Sequence, residues 1–244
     1  MSVTKGTILA AVLLLGGWRT PAEQAAAAAQ AHAVRWTASL GPSDRAALEA
    51  ALTRPPKDLQ PGDALDHHDA KGANHPIRTC AQYERALKNG WSAENNAQMA
   101  TEGFFIKGCT LVSLVLKAQP SKASYVADLK LDASALAVLP PAIAALADED
   151  ALKAAGKKGL SLKQFDSALA VVAKDSHDGQ LVIENDDSRY VLEAMAYGDV
   201  DGDGVEDLLL FQASYARQGS LHVYTPVILT RTKPSGLLRI VEMK

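Results

Sequence analysis

The run Gly198-Asp199-Val200-Asp201-Gly202-Asp203-Gly204-Val205-Glu206-Asp207-Leu208 leaves the backbone few choices. Three alternating aspartates and two interleaved glycines must turn tightly, because glycine alone bends freely and aspartate favours turns. The segments on either side, 189–197 and 208–215, are apolar and β-prone. The chain therefore reads here as strand, tight loop, strand.

The same spacing dictates a chemistry. Hard divalent cations take oxygen ligands, and calcium collects about six to eight of them at roughly 2.3–2.6 Å. Asp199, Asp201 and Asp203 alternate, so their carboxylates can converge on one point. Gly204 permits the bend that turns the Val205 carbonyl inward, and Asp207 closes the set directly or through water. Without a cation these carboxylates would repel and raise one another's pKa; with one, repulsion becomes attraction. The expected metal ligands are Asp199, Asp201, Asp203, Val205 and Asp207, and the expected cofactor is calcium.

The string matches the first nine positions of the EF-hand pattern DxDxDGxxx and departs at the twelfth, where Leu210 stands in place of a bidentate Glu. With strands rather than helices as flanks, it resembles the calcium loop of FG-GAP or VCBS-type repeats in secreted and cell-surface proteins. The resemblance covers about a tenth of the chain and implies calcium held in a strand–loop–strand hairpin by the same five residues. Such repeats usually form propeller arrays. This loop occurs once, so no propeller is expected.

The N-terminus suggests a compartment. Lys5 precedes an apolar stretch from Thr7 to Gly17 that is too short to span a bilayer, and small residues follow. This reads as a cleaved secretory signal with cutting after Ala22, Ala25 or a later alanine, which places the protein outside the cytoplasm, secreted or periplasmic. No other apolar run of spanning length is expected in the mature chain. In an exported chain the two cysteines, Cys80 and Cys109, are expected to pair as one disulfide. An ideal helical hairpin turning at Gly90 would hold them roughly 13 Å apart, beyond disulfide reach. A pair therefore requires the helices to cross steeply or the second to bend, for instance near Gly103.

The 244 residues, 48% hydrophobic and 22% charged, describe an ordinary globular chain. A net charge of -3, with no basic stripe, gives no reason to expect nucleic acid. Three parts are expected: signal and alanine-rich processing region at 1–33, helical region at 34–175 and antiparallel β region at 176–244. Ser43 can cap a helix carrying Leu48 and Leu52 that ends before Pro55-Pro56. Residues 57–74 read as a polar loop. Asp66, His67, His68, Asp69 and His75 lie at its end, but adjacent histidines point apart and a solvated loop is the better reading. Helices are expected over 76–88 and 92–117, the second with Ala93, Ala97, Ala100, Phe104, Gly108, Leu111 and Val115 on its core face. Residues 132–155 are helix-prone up to Gly156, and Ser161 with Gln164 forms a capping box for a helix reaching about Lys174. Strands follow at 181–183, 189–197, 208–215, 221–232 and 237–241. The fold class is α+β, with the N-terminal helical region packed on a C-terminal antiparallel sheet of four to five strands.

The common catalytic strings are missing, including G-x-S-x-G, H-E-x-x-H and the P-loop. Glu84, Glu94 and Glu102 are read as solvated helix-face residues, and His177 and His222 as isolated. The expectation is an exported calcium-binding protein in a non-catalytic binding or structural role, its partner a protein or envelope component. The alternative is a calcium-stabilised hydrolase of envelope or extracellular polymer, and a third reading is docking through a Tyr190–Tyr224 sheet face.

Overall fold

A computed structural model describes residues 32–42, 44–56, 59, 64–93 and 95–242. The chain divides into Met1–Gln30 and Ala31–Lys244, and only residues of the second unit are described. The expected signal segment, Ser43 and Glu94 lie outside the described residues.

The architecture is mixed helix and sheet, built on one antiparallel sheet. Its strands are β5 (Ala170–Val171), β6 (Gln180–Glu184), β7 (Ser188–Gly198), β8 (Asp207–Ala216), β9 (His222–Thr230) and β10 (Arg239–Ile240), and they lie in that order across it. The strand expectations from residue 180 onward match to within a few residues. A seventh strand, β1 (Arg35–Trp36), pairs with Tyr197 and Ala196 of β7. It takes the edge that β6 vacates, since β6 pairs only as far as Glu193 and a register shift follows at Ala194/Ala196.

Both faces of this sheet are covered. Leu208 and Leu210 enter a core with Leu136, Leu139, Ile143, Leu162 and Leu169, while Leu209 between them joins Leu48, Leu111, Val112 and Val115. A three-leucine run in a strand is the pattern of burial on both sides, since alternate side chains point to opposite faces. Tyr190 is buried in the first of these cores, whereas Tyr224 packs in a third, so the two tyrosines do not share a surface.

The helices are α1 (Arg45–Leu52), α2 (Cys80–Lys88), α3 (Asn96–Lys117), α4 (Glu149–Lys157) and α5 (Leu162–Phe165). Asp44 caps α1, accepting the Ala47 N–H at 2.8 Å. The capping box at Ser161 and Gln164 forms as expected, but α5 stops at Phe165, and the chain enters β5 instead of reaching Lys174. Residues 132–148 hold only two short 3₁₀ turns, Ala133–Ala137 and Pro141–Ile143, because Pro140-Pro141 breaks any longer run. The helix continues through Gly156 to Lys157, and Gly159, at φ 65°, makes the left-handed stop.

The expected polar loop holds a strand. β2 (Leu65–His68) pairs with β3 (Asn74–Ile77) and β4 (Ser92–Ala93) in a second, three-stranded sheet. Leu65 and His67 point inward and are fully buried. Because β3 and β4 take the residues around 76 and 92, α2 begins at Cys80 and α3 at Asn96.

Helix α3 contains a π-helical segment, Ile106–Leu111. The expected core face holds at Leu111 and Val115, which are buried, but not ahead of the π segment, where Phe105 is buried and Phe104 is 41% exposed; the π turn puts the two halves out of phase. Cys109 lies in that segment and is bonded to Cys80, with Cα atoms 5.2 Å apart. The extended β4 connection and the π segment replace the ideal hairpin that would have kept the cysteines apart. By length and composition α3 is apolar enough to cross a membrane. Here its buried residues face the sheet and the disulfide, with Leu111, Val112 and Val115 in one core and Phe105, Ile106 and Cys109 in another.

Candidate metal centre

The aspartate loop joins β7 to β8, as expected of a strand–loop–strand unit. It is enclosed on two sides. Residues following α3 run across it: Gln119 and Asp199 exchange backbone hydrogen bonds at 2.8 and 2.9 Å, Lys122 N–H donates to the Gly204 carbonyl, and Glu206 N–H donates to the Ala123 carbonyl. His32 in turn pairs with Ser121, tying the N-terminal arm to the same strap.

Within the loop the backbone folds onto its own carboxylates. Asp199 Oδ1 and Oδ2 accept the N–H groups of Gly202 and Gly204 at 2.8 and 2.9 Å. Asp201 Oδ1 accepts from Asp203 N–H, Asp203 Oδ1 from Val205 N–H, and Asp207 Oδ2 from Val200 N–H. Gly202 and Gly204 adopt φ 84° and 86°, the left-handed region that makes glycine the fitting residue at both places.

Asp199, Asp201 and Asp207 each present an oxygen within 4.8 Å of the others. Two oxygens bound to one calcium at roughly 2.4 Å each can lie no more than about 5 Å apart, so this spacing is compatible with one shared ion. Asp199 and Asp207 are buried and Asp201 is exposed. Asp203 is exposed and its Oδ1 is engaged with the backbone; Val205 is half-buried beside Ala123. Neither belongs to the convergent group of three.

Asp207 is the most constrained member. It is fully buried, and its Oδ1 has no hydrogen-bond partner. The Thr230 hydroxyl lies near enough to favour the charged form of this carboxyl, although no hydrogen bond of good geometry closes between them. Burial pushes the Asp207 carboxyl up to about 6, against the Val200 N–H, which favours the charged form; Asp201 and Asp203 raise it further. Glu206, one residue earlier, is also fully buried but is satisfied. Arg35 forks onto both of its oxygens, and Ser124 Oγ donates to it at 2.5 Å. The Arg35 guanidinium also stacks 4.1 Å above the Tyr197 ring. Sequence reading gave Glu206 no role. Its position inside the loop was visible, but its cation stands 171 residues away and leaves no local trace.

The groups set aside as sites in the sequence form separate local contacts among the described residues. His67 lies inside the small sheet, with Nε2 3.4 Å from Glu102 but not aligned for a hydrogen bond. His75 stacks on Trp91 and meets Asp69 at 3.2 Å near the surface. Glu102 accepts from Tyr83, whose phenol is pushed well above its ordinary range by burial and by that carboxylate. Glu84 pairs with Lys88 on the exposed side of α2. His177 is exposed and His222 packs edge-on against Tyr215.

Comparisons with protein-family models, with curated proteins and with solved structures found no match to this chain.

Proposed function

We propose that this is an exported protein in which a calcium ion at Asp199, Asp201 and Asp207 staples the β7–β8 turn, in the service of a binding or structural role rather than catalysis. The observation that carries the reading is the contrast between neighbours. The fold gives buried Glu206 a guanidinium and a hydroxyl, but gives buried Asp207 no cation and leaves its Oδ1 without a well-formed hydrogen bond, facing two more carboxylates. A buried carboxylate without a partner costs several kcal/mol or stays protonated. A cation in the middle removes that cost.

Calcium fits the donor set better than the alternatives. All the converging atoms are carboxylate oxygens, which suits a hard cation rather than zinc or copper. Asp203 and the Val205 carbonyl stand at the spacing that would add further oxygens, and calcium tolerates such irregular shells better than magnesium does. The Cys80–Cys109 disulfide is consistent with an oxidising compartment. Glu84 and Glu102 lend the hydrolase alternative no support, since they are held by Lys88 and Tyr83 respectively.

The test is calorimetric titration of the metal-stripped protein with calcium, alongside melting in calcium and in EGTA. Stoichiometric binding is expected, together with a stabilisation of about 2.7 kcal/mol at a hundredfold excess over the dissociation constant. Asp201→Ala and Asp207→Asn should each abolish the difference between calcium and EGTA. Identical melting of the unaltered protein in both would remove the proposal.

A further inference from the structure

An open cleft of about 600 Å³ lies against the outer side of the aspartate loop. Asp201, one of the three converging carboxylates, lines it, so an ion at the loop would border the cleft. The loop's own donors leave room in a calcium shell: one oxygen each from Asp199, Asp201 and Asp207, with Asp203 and the Val205 carbonyl added, stop short of about eight positions. Calcium completes its six to eight positions from whatever oxygen donors reach it, and here they would come from the cleft.

The rest of the lining selects among donors. Val200, Ile228 and Val241 form an aliphatic wall. Asp203 and Glu242 add exposed carboxylates, which accept hydrogen bonds and repel anions. The cleft also meets the last turn of α3, whose C-terminal end carries partial negative charge. Lys117 is the one cation of the lining, and its charge also acts on Glu84. Carboxylate acceptors, one ammonium donor, an aliphatic wall and a hard cation complement a neutral molecule with adjacent hydroxyls on an apolar carbon frame.

From this lining we infer that the cleft is a calcium-dependent binding site for a neutral sugar, which places two vicinal hydroxyls on the ion, donates others to Asp203 and Glu242, and lays its C–H face on Val200 and Val241. The inference rests on the calcium reading above and adds the ligand class to it.

The experiment has two stages. Calcium is first titrated into the metal-stripped protein by calorimetry. Saturation-transfer NMR then follows methyl mannoside, methyl galactoside and methyl glucoside at millimolar concentration, with acetate and inorganic phosphate as anionic probes, in calcium and in EGTA. The expected result is transfer to at least one sugar in calcium, its loss in EGTA, and a fall of tenfold or more in affinity for Glu242→Ala and for Val241→Asp with calcium binding unchanged. Calcium binding without transfer to any of the three sugars overturns the sugar site and leaves the metal reading standing. So does transfer that survives EGTA, or transfer confined to acetate or phosphate. Absence of calcium binding overturns both.

Discussion

Glu206 and Asp207 are consecutive, fully buried and acidic, yet only Glu206 has a cation of its own, the Arg35 guanidinium. Removing each partner should therefore have opposite dependence on calcium. Arg35→Ala leaves buried Glu206 with only the Ser124 hydroxyl and is expected to cost up to about 3 kcal/mol, less where water takes the place of the half-exposed guanidinium, in calcium and in EGTA alike. Asp207→Asn removes the unpaired charge, so in EGTA it should be neutral or stabilising, and in calcium it should lose the whole metal contribution. Urea unfolding of the two variants in both buffers measures this. Equal losses for Asp207→Asn in both would show that its carboxylate has no metal role.

The pH dependence follows from the same residue. Asp207 titrates at about 6 in the fold, against about 3.9 in an unfolded chain. An acid whose pKa is raised by folding binds its proton more tightly in the native state, so it stabilises at low pH and that contribution is lost as pH rises from about 4 through 6. Asp69, Asp132 and Asp175 are shifted the other way, by backbone N–H groups, Ser134 and Arg189 respectively, so their contributions are lost only as pH falls below about 4. Between pH 4.5 and 6.5 the metal-free protein should thus lose stability with rising pH, and Asp207→Asn should flatten the slope. Calcium affinity should rise over the same interval, because the ion competes with that proton. A metal-free stability that rises through this window would contradict the assignment.

Strand positions from 180 onward, the turn and the Asp199, Asp201, Asp207 convergence were legible because each is encoded locally: alternation of period two, glycine at left-handed positions and aspartate spacing. The small sheet was not. Leu65, Asp66, His67 and His68 read as polar because the inward histidine imitates a loop residue, and its pairing partners sit at 74–77 and 92–93. The face of α3 matches the expected stripe only in its second half: Leu111 and Val115 are buried, but Ala97 and Phe104 are exposed and Phe105 is buried instead. A stripe at three- and four-residue steps assumes an unbroken α-helix, and the π segment at Ile106–Leu111 changes the phase between the two halves, so one stripe cannot fit both. Arg35–Glu206 and the strap at Gln119–Ala123 are purely tertiary, joined by chain folding rather than by any pattern.

Gly103 has a use that sequence reading assigned to bending. A methyl group there would lie 3.0 Å from atoms of the Tyr224 ring on β9, so the glycine lets α3 approach the sheet. Gly103→Ala is expected to destabilise by about 1–3 kcal/mol through overpacking. In a Tyr224→Ala background the same substitution should cost little, and a double-mutant cycle reads the difference. Equal costs in both backgrounds would place the strain elsewhere.

Gly204 separates backbone strain from packing. At φ 86° its added methyl would meet only the Lys122 side chain at 3.6 Å, an ordinary contact. Gly204→Ala should still cost about 1–2 kcal/mol, the penalty of a left-handed conformation. Its N–H donates to Asp199 Oδ2, so any shift of the backbone also misplaces a proposed ligand. Calcium affinity should fall together with stability for Gly204→Ala. A variant that loses stability with unchanged affinity would show that the ion does not depend on this turn.

The disulfide closes a loop of sequence separation 29 and joins α2 to the π segment of α3, away from the aspartates. Loop-closure entropy for that length corresponds to about 3–4 kcal/mol, an upper figure if the reduced unfolded chain keeps residual structure. Replacing both cysteines by serine should lower stability by up to that amount, chiefly by freeing the unfolded state. The same variant should bind calcium with unchanged affinity, because no residue of the loop touches either sulfur's core, which is built from Leu65, Ile77, Tyr83, Phe105 and Ile106. Melting and calcium titration of the double variant test both halves. A large loss of calcium affinity would mean that the position of α3 governs the loop through the strap at Gln119, and that the two stabilising devices are coupled.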